Sequence, residues 1–188
     1  MASPCASGGP GPEPAQALLG LGGNLGDRPE VLGRALGRLG DLPSSRLLAV
    51  SPAYDSDPVG PAGQPTYLNL CAALETRLGP ADLLEAALGI ERELGRVRTV
   101  PNGPRTCDID LLFHSAAPRL EQPGLALPHP RWRERAFVVI PLGELLQLGA
   151  LAAEARWDGL RAEIAALRAP ATGLRPWTGP TPWARRPT

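Results

Sequence analysis

The chain has 188 residues, enough for one compact domain with a real core, and its 19 basic and 19 acidic residues cancel. That balance speaks against a general nucleic-acid binder, whose footprint is strongly basic. Every basic residue is arginine, which excludes a lysine nucleophile, a Schiff base and a P-loop lysine; three cysteines and two histidines without a Cys-x-x-Cys do not make a structural zinc site and suit a reducing compartment.

In chain order, residues 1–15 are rich in Gly, Pro, Ala and Ser and read as a disordered leader with no signal-peptide pattern. Residues 17–21 form a short apolar strand. Asp27 can cap a helix with Pro29 in its first turn and Leu32, Leu36 and Leu39 at i, i+4, i+7. Residues 46–50 read as a second strand, followed by a Pro/Gly loop over 57–65, and residues 67–76 as a third strand. Pro80 opens a helix striped by Leu83, Ala87, Ile90 and Leu94. Residues 106–113 are a fourth strand; 131–146 and 157–167 are further helices. The β-α-β-β-α-β order predicts an α+β, ferredoxin-like fold: an antiparallel sheet with helices packed on it and extra C-terminal helices. The domain is expected over 16–168. Residues 169–188, with five Pro and two Trp, read as an irregular tail, and composition leaves open whether Trp177 and Trp183 pack back. No apolar stretch is long enough to span a bilayer, so a cytoplasmic protein without a membrane partner is expected; the balanced charge predicts no nucleic-acid partner, and a monomer is expected.

The segment Gly103-Pro104-Arg105-Thr106-Cys107-Asp108-Ile109-Asp110 carries the chemistry. Residues two apart on a strand share a face, so Asp108 and Asp110 stand side by side while Cys107, Ile109, Leu111 and Phe113 turn into a core. Adjacent carboxylates repel unless a cation or water lies between them. Magnesium typically takes one or two carboxylates plus substrate phosphates, and two such ions can clamp a polyphosphate. A bare Asp-x-Asp is also what an exposed strand face carries. Here Arg96, Arg98 and Arg105 precede the pair, and Arg131, Arg133 and Arg135 follow His129. Guanidinium groups match phosphate oxygens bidentately, and carboxylates with converging arginines are the parts of a phosphoryl-transfer site. A solvated role stays open for any single arginine.

These residues, with Gly95-Arg96-Val97-Arg98, resemble the signature of the 6-hydroxymethyl-7,8-dihydropterin pyrophosphokinases of folate biosynthesis. Three further blocks agree in order and spacing: Gly22-Gly23-Asn24-Leu25-Gly26-Asp27; Pro58-Val59-Gly60 with Gln64-Pro65-Thr66-Tyr67-Leu68-Asn69; and Pro128-His129-Pro130-Arg131 with Glu134-Arg135-Ala136-Phe137. The resemblance runs from about residue 17 to 168. It implies transfer of diphosphate from ATP, as co-substrate, to the hydroxymethyl pterin, with two Mg2+ held by Asp108 and Asp110. By the same resemblance Arg96, Arg98 and Arg105 face the triphosphate, some from a loop that closes over substrate. Glu91, Leu111, His129 and Arg135, with Arg98 and Arg105, meet the nucleotide. Asn69 bonds the pterin ring, Tyr67 and Phe137 wall it, and Asp57, Pro58 and Val59 meet it through backbone.

A flat bicycle with a donor–acceptor edge needs an aromatic face and an amide side chain, which Phe137 and Asn69 can provide; a core aromatic is the alternative for Phe137. The chain departs from common family residues at Gly23, Ser56, Asp57, Leu88 and Asn102. Two other classes compete. A dinucleotide-binding fingerprint begins at Gly20-Leu21-Gly22 but has Leu25 where its third Gly belongs. A non-enzymatic module of the same fold would want exposed aromatics and a basic surface. Nucleotide binding without turnover also stays open, through Leu88 and Asn102.

Overall fold

The computed structural model describes residues 13–61, 63–97, 103–167 and 173–185. Strand β1 (Ala15–Gly23) is buried along nearly its whole length and lies inside a six-stranded sheet. Helix α1 (Arg28–Gly40) follows; Asp27 caps it, its carboxylate accepting from the Glu30 amide at 3.2 Å, with Pro in the first turn. Strands β2 (Ser45–Val50) and β3 (Tyr54–Ser56) come next, then β4 (Tyr67–Thr76), helix α2 (Pro80–Glu93) and β5 (Asp108–His114). A small hairpin, β6 (Leu120–Gln122) and β7 (Leu125–Leu127), leads to helix α3 (Ala136–Leu145), helix α4 (Asp158–Ala166) and a two-residue strand β8 (Arg175–Pro176).

The sheet order is β5-β1-β4-β3-β8, with β2 also on β4, and every pairing is antiparallel. Alternation along the central strands divides the core in two. Leu19, Leu21, Leu68, Leu70, Leu74, Ile109 and Leu111 face α1 and α2. Leu18, Cys71, Ala73 and Leu112 face α3 and α4, where Trp132, Leu142 and Trp157 complete the packing. The antiparallel sheet with helices on it stands as expected, and the extra C-terminal helices cover its second face.

Four expectations are corrected. Phe113 packs with Leu112 and Trp132 on the α3 side instead of joining Ile109 and Leu111. The β1–β5 register shifts between Leu18 and Leu19, leaving Leu112 as an extra residue and reversing the alternation beyond it. An additional short strand, β3, precedes the loop at 57; its three residues after Pro52 are too short to show a period. The helix expected over 131–146 is broken: a 3-10 turn spans Trp132–Glu134, Arg135 is extended (φ −109, ψ 100), and α3 begins after it. The tail is not wholly irregular, since β8 pairs with β3 and Trp177 and Trp183 pack against the α1–α2 core. Apolar area beside a short edge strand is what draws it back.

Candidate active site

One row of the sheet builds the centre of a cleft. Gly22 on β1 lies opposite Asn69 on β4 and Asp108 on β5, and Gly20 lies opposite Cys71 and Asp110. All of these point to the α3 side of the sheet. That face is packed core at Leu18, Ala73 and Leu112, where α3 covers it, and becomes a cleft of about 1230 Å³ beyond the start of α3. Glycine at 20 and 22 keeps the floor flat between the Asn69 wall and the carboxylates. A Cβ on Gly22 would stand 2.9 Å from Asn69 Oδ1. A Gly-x-Gly of strand period on the face of the aspartates was the available signal for this floor.

At one end, Asp108 accepts from Arg96 and from Arg105 Nη1 (2.7 Å), and Asp110 accepts from Arg135 Nη1 at 2.8 Å. The β5 alternation thus places both carboxylates together as expected, and the extended Arg135 is what aims its guanidinium at Asp110. Arg96 also pairs with Glu91 at 2.5 Å. Glu91 is buried on α2 and accepts from the Ile109 amide at 2.7 Å, satisfying a backbone donor on the outer edge of β5. Burial pushes the Glu91 carboxyl up, and the Ile109 amide and Arg96 pull against it without cancelling. Burial also opposes the Arg96 charge, but Asp108 and Glu91 outweigh it and hold the guanidinium above its ordinary value. The ion pair is made: a guanidinium stays protonated at any ordinary pH, and Asp108 shares it.

His129 sits at the rim. Its amide donates to Leu112 O (2.9 Å), and its Nδ1 accepts from the Arg131 amide (3.2 Å). Burial lowers its pKa, with Asp110 pulling up and Arg135 and Arg131 pushing down, so the ring is neutral at pH 7. Leu111 is buried with its side chain in the α1–α2 core at the border of the cleft. Arg131 lines the rim, whereas Arg133 turns away, paired with Glu163 and stacked on Trp132 at 4.7 Å. The expected convergence of the later arginines therefore holds for Arg135 and fails for Arg133. Arg98 and Asn102 lie outside the described residues.

At the other end, Asn69 Nδ2 donates to Ser56 Oγ (2.9 Å) and to Tyr54 O (3.3 Å). Tyr67 donates its hydroxyl to Gly103 O at 3.0 Å, and Arg105 lies over its ring at 5.4 Å. Phe137, half-buried at the start of α3, lines the cleft with Arg135 stacked on it at 5.7 Å. Asp57 and Val59 line it as well; Pro58 between them does not, and Asp57 pairs with Arg175 at 2.9 Å. In the sequence Ser56 shows only as a departure from the common residue, since a lone serine beside a proline loop carries no pattern; the structure makes it the acceptor for Asn69. In the sequence Asn24 shows only as part of a turn. It is a buried clamp: Oδ1 accepts from the Arg105 amide at 2.8 Å, and Nδ2 donates to Gln64 Oε1 and Pro65 O at 3.3 and 3.2 Å.

The carboxylates offer hard oxygen donors, and their observed partners are cations. Among the described residues no three His, Cys, Asp or Glu side chains stand close enough to hold a metal between them. A cation here would take Asp108 and Asp110 and complete its shell with phosphate oxygens and water, as magnesium commonly does. Each of Arg96, Arg105 and Arg135 is already balanced by an acid. An incoming polyphosphate therefore brings negative charge that these three arginines do not neutralise by themselves, which fits a divalent ion at the same place.

Residues 18–147 match the family described as 7,8-dihydro-6-hydroxymethylpterin-pyrophosphokinase. A 2-amino-4-hydroxy-6-hydroxymethyldihydropteridine pyrophosphokinase of Pseudomonas aeruginosa is 48% identical over 130 residues, covering 69% of this chain and 80% of the relative. The protein of the same name from Bacillus subtilis is 40% identical over 148 residues, covering 77% and 88%. Among solved structures, Plasmodium falciparum HPPK-DHPS wild type with pterin and p-hydroxybenzoate superposes with a TM-score of 0.54 at 14% identity, over 82% of this chain and 42% of that longer one, a likeness of fold. Among the described residues no helix is long and apolar enough to cross a membrane. The match over most of the folded chain, together with two relatives covered to 80% and 88% of their length, places this protein in the 7,8-dihydro-6-hydroxymethylpterin-pyrophosphokinase family.

Proposed function

We propose that the chain transfers diphosphate from ATP to the hydroxymethyl oxygen of 6-hydroxymethyl-7,8-dihydropterin, giving AMP and the pterin diphosphate, in folate biosynthesis. The observation that carries this reading is the two-ended cleft. Carboxylates and arginines gather at one end, an amide and aromatic walls at the other, and the glycine floor of β1 runs between them. Its volume of about 1230 Å³ exceeds the roughly 300–1,000 Å³ usual for one small ligand, so two substrates fit side by side.

In this reading Asn69, held by Ser56, presents its amide to the pterin edge, and Phe137 and Tyr67 wall the ring. Asp57, Pro58 and Val59 offer backbone groups. Arg96, Arg98, Arg105 and Arg135 orient the phosphates and meet the charge that develops on the leaving oxygen. Glu91 serves the nucleotide end by fixing Arg96 and the Ile109 amide; His129, neutral, and Leu111 border the nucleotide. Asp108 and Asp110 would hold two magnesium ions, which when bound neutralise phosphate oxygens as Lewis acids. The pterin hydroxymethyl oxygen attacks the β-phosphorus in line. A new O–P bond forms as the hydroxyl O–H bond breaks and its proton passes to solvent water; the bond from the β-phosphorus to the α–β bridging oxygen breaks, and AMP leaves with that oxygen. No protein nucleophile is needed; positioning by the residues named carries the step.

The test is to incubate the protein with ATP, magnesium and 6-hydroxymethyl-7,8-dihydropterin and to separate the nucleotides. AMP formed only when pterin and magnesium are both present supports the reading. ADP would mean transfer of the terminal phosphoryl group, and an absence of product would leave a binding protein; either result overturns it.

A further inference from the structure

The C-terminal segment lies beyond the residues matched to the family, yet it returns to the pterin end of the cleft. Strand β8 adds to the free edge of β3, with Arg175 opposite Asp55 and Pro176 opposite Tyr54, and the Trp177 amide donates to Ala53 O at 2.9 Å. From this strip Arg175 Nη2 reaches Asp57 Oδ1 at 2.9 Å. Gly173 approaches the same carboxylate so closely that a Cβ there would stand 1.9 Å from Asp57 Oδ2.

A second grip lies next to it. Arg28, the first residue of α1, donates through Nη1 to Asp55 Oδ1 (2.7 Å), Thr66 O (2.9 Å) and Thr66 Oγ1 (3.0 Å). Asp55 belongs to β3 and Thr66 immediately precedes β4, so one guanidinium joins the two arms on either side of the 57–65 segment. The half-buried Trp177 ring covers that guanidinium, 5.3 Å from its carbon. Further along, Pro182 approaches α1 at Gly33, where a Cβ would meet it at 3.3 Å, and Trp183 packs beside it.

We propose that residues 173–183 are a strap that positions the pterin wall, with Arg28, Arg175 and Trp177 as positioning residues for that substrate. β3 has three residues and, without β8, one neighbour; so short an edge strand is weakly held. It carries Ser56, whose hydroxyl orients Asn69, and Asp57 follows it directly. The exposed Arg175–Asp57 pair alone is worth little. It gains weight because strand pairing delivers Arg175 and Trp177 together, and the cation–π contact stiffens the arginine that joins both arms. The proposal rests on the pyrophosphokinase reading for its substrate, while the strap itself is a property of the free protein.

The experiment uses the full chain with Arg175→Ala, Trp177→Ala and the conservative Arg175→Lys. It measures KM for pterin and for ATP separately, melting temperature, and amide hydrogen exchange over residues 53–59. The strap predicts a three- to tenfold rise in pterin KM for both alanine variants, with ATP KM and kcat within twofold. Exchange at 53–59 becomes faster, and Arg175→Lys recovers most of the loss. Unchanged pterin KM, with or without a lower melting temperature, overturns it, as does an equal rise in both KM values. If the parent protein forms no AMP, the functional reading fails by itself. Exchange in Trp177→Ala then decides: faster exchange at 53–59 upholds the strap, and unchanged exchange overturns it.

Discussion

Asp108 carries an arginine on each carboxylate oxygen, Arg96 on Oδ1 and Arg105 on Oδ2, and Asp110 carries Arg135 on Oδ2. Replacing either with Ala should lower kcat at least about 100-fold, since it removes a cation ligand and releases an arginine from its aim; full turnover in either variant would sink the assignment. His114 offers a stability test away from the site. It is buried, its Nε2 bonds Leu78 O at 3.1 Å, and its Nδ1 has no partner among the described residues. Burial lowers its pKa, with Leu78 O pulling weakly the other way. The folded state therefore declines a proton that the unfolded chain accepts. Stability is full above the ordinary histidine value and falls as pH drops from there towards the lowered one, with a slope of at most about 1.4 kcal/mol per pH unit. Urea titrations between pH 5 and 7.5 should show this slope in the parent and a flatter one in His114→Gln.

At the scale of elements, two close approaches decide how the strands present the site. A Cβ on Gly23 would stand 2.2 Å from Thr106 O, so the end of β1 and the loop leading into β5 touch backbone to backbone. The resembling family commonly has Ser here; in this chain Gly23→Ser should displace the segment carrying Arg105. Thermal melts should show a loss of roughly 1–3 kcal/mol, and assays a fall in kcat. β3 is tied to α3 by the Tyr54 hydroxyl, which donates to Glu144 Oε1 at 2.7 Å. Burial, then Glu144, pushes that phenol up to about 12, so it remains a donor across ordinary pH. Tyr54→Phe would leave a carboxylate whose other oxygen already lacks a partner among the described residues, destabilising by roughly 1–3 kcal/mol in urea unfolding.

For the molecule as a whole, nucleotide and cation should bind as one event. The arginines that a polyphosphate needs are paired with the carboxylates that a cation needs, so neither ligand alone frees both sets. Magnesium alone, or an ATP analogue alone, should therefore shift the melting temperature little. Both together, near 100 times their dissociation constant, should add about 2.7 kcal/mol and raise the midpoint by roughly 5–10 °C. Additive shifts from the two separate ligands would contradict this coupling.

Periodicity was enough to read the antiparallel sheet, the faces of α1 and α2, and the shared side of Asp108 and Asp110, because period 2 and period 3.6 are local properties of the chain. The spacing of Gly103-Pro104-Arg105 to the aspartates, with the block from His129 to Phe137, marked the family without any coordinates. Other features depend on residues distant in sequence. The bulge that turns Phe113 to the opposite core is set by how β5 pairs with Leu18 and Leu19. The row of Asn69, Gly22 and Asp108 exists only once three strands are in register. Arg133 and Arg135 differ by two positions, yet one faces Glu163 and the other Asp110, because the backbone breaks at Arg135 between the 3-10 turn and α3. The return of Trp177 onto Arg28 depends on an edge that β3 leaves free. Local pattern determines which elements form and which way their side chains alternate; register, breaks and free edges are settled by packing, and those place the arginines and the opposite wall of the cleft.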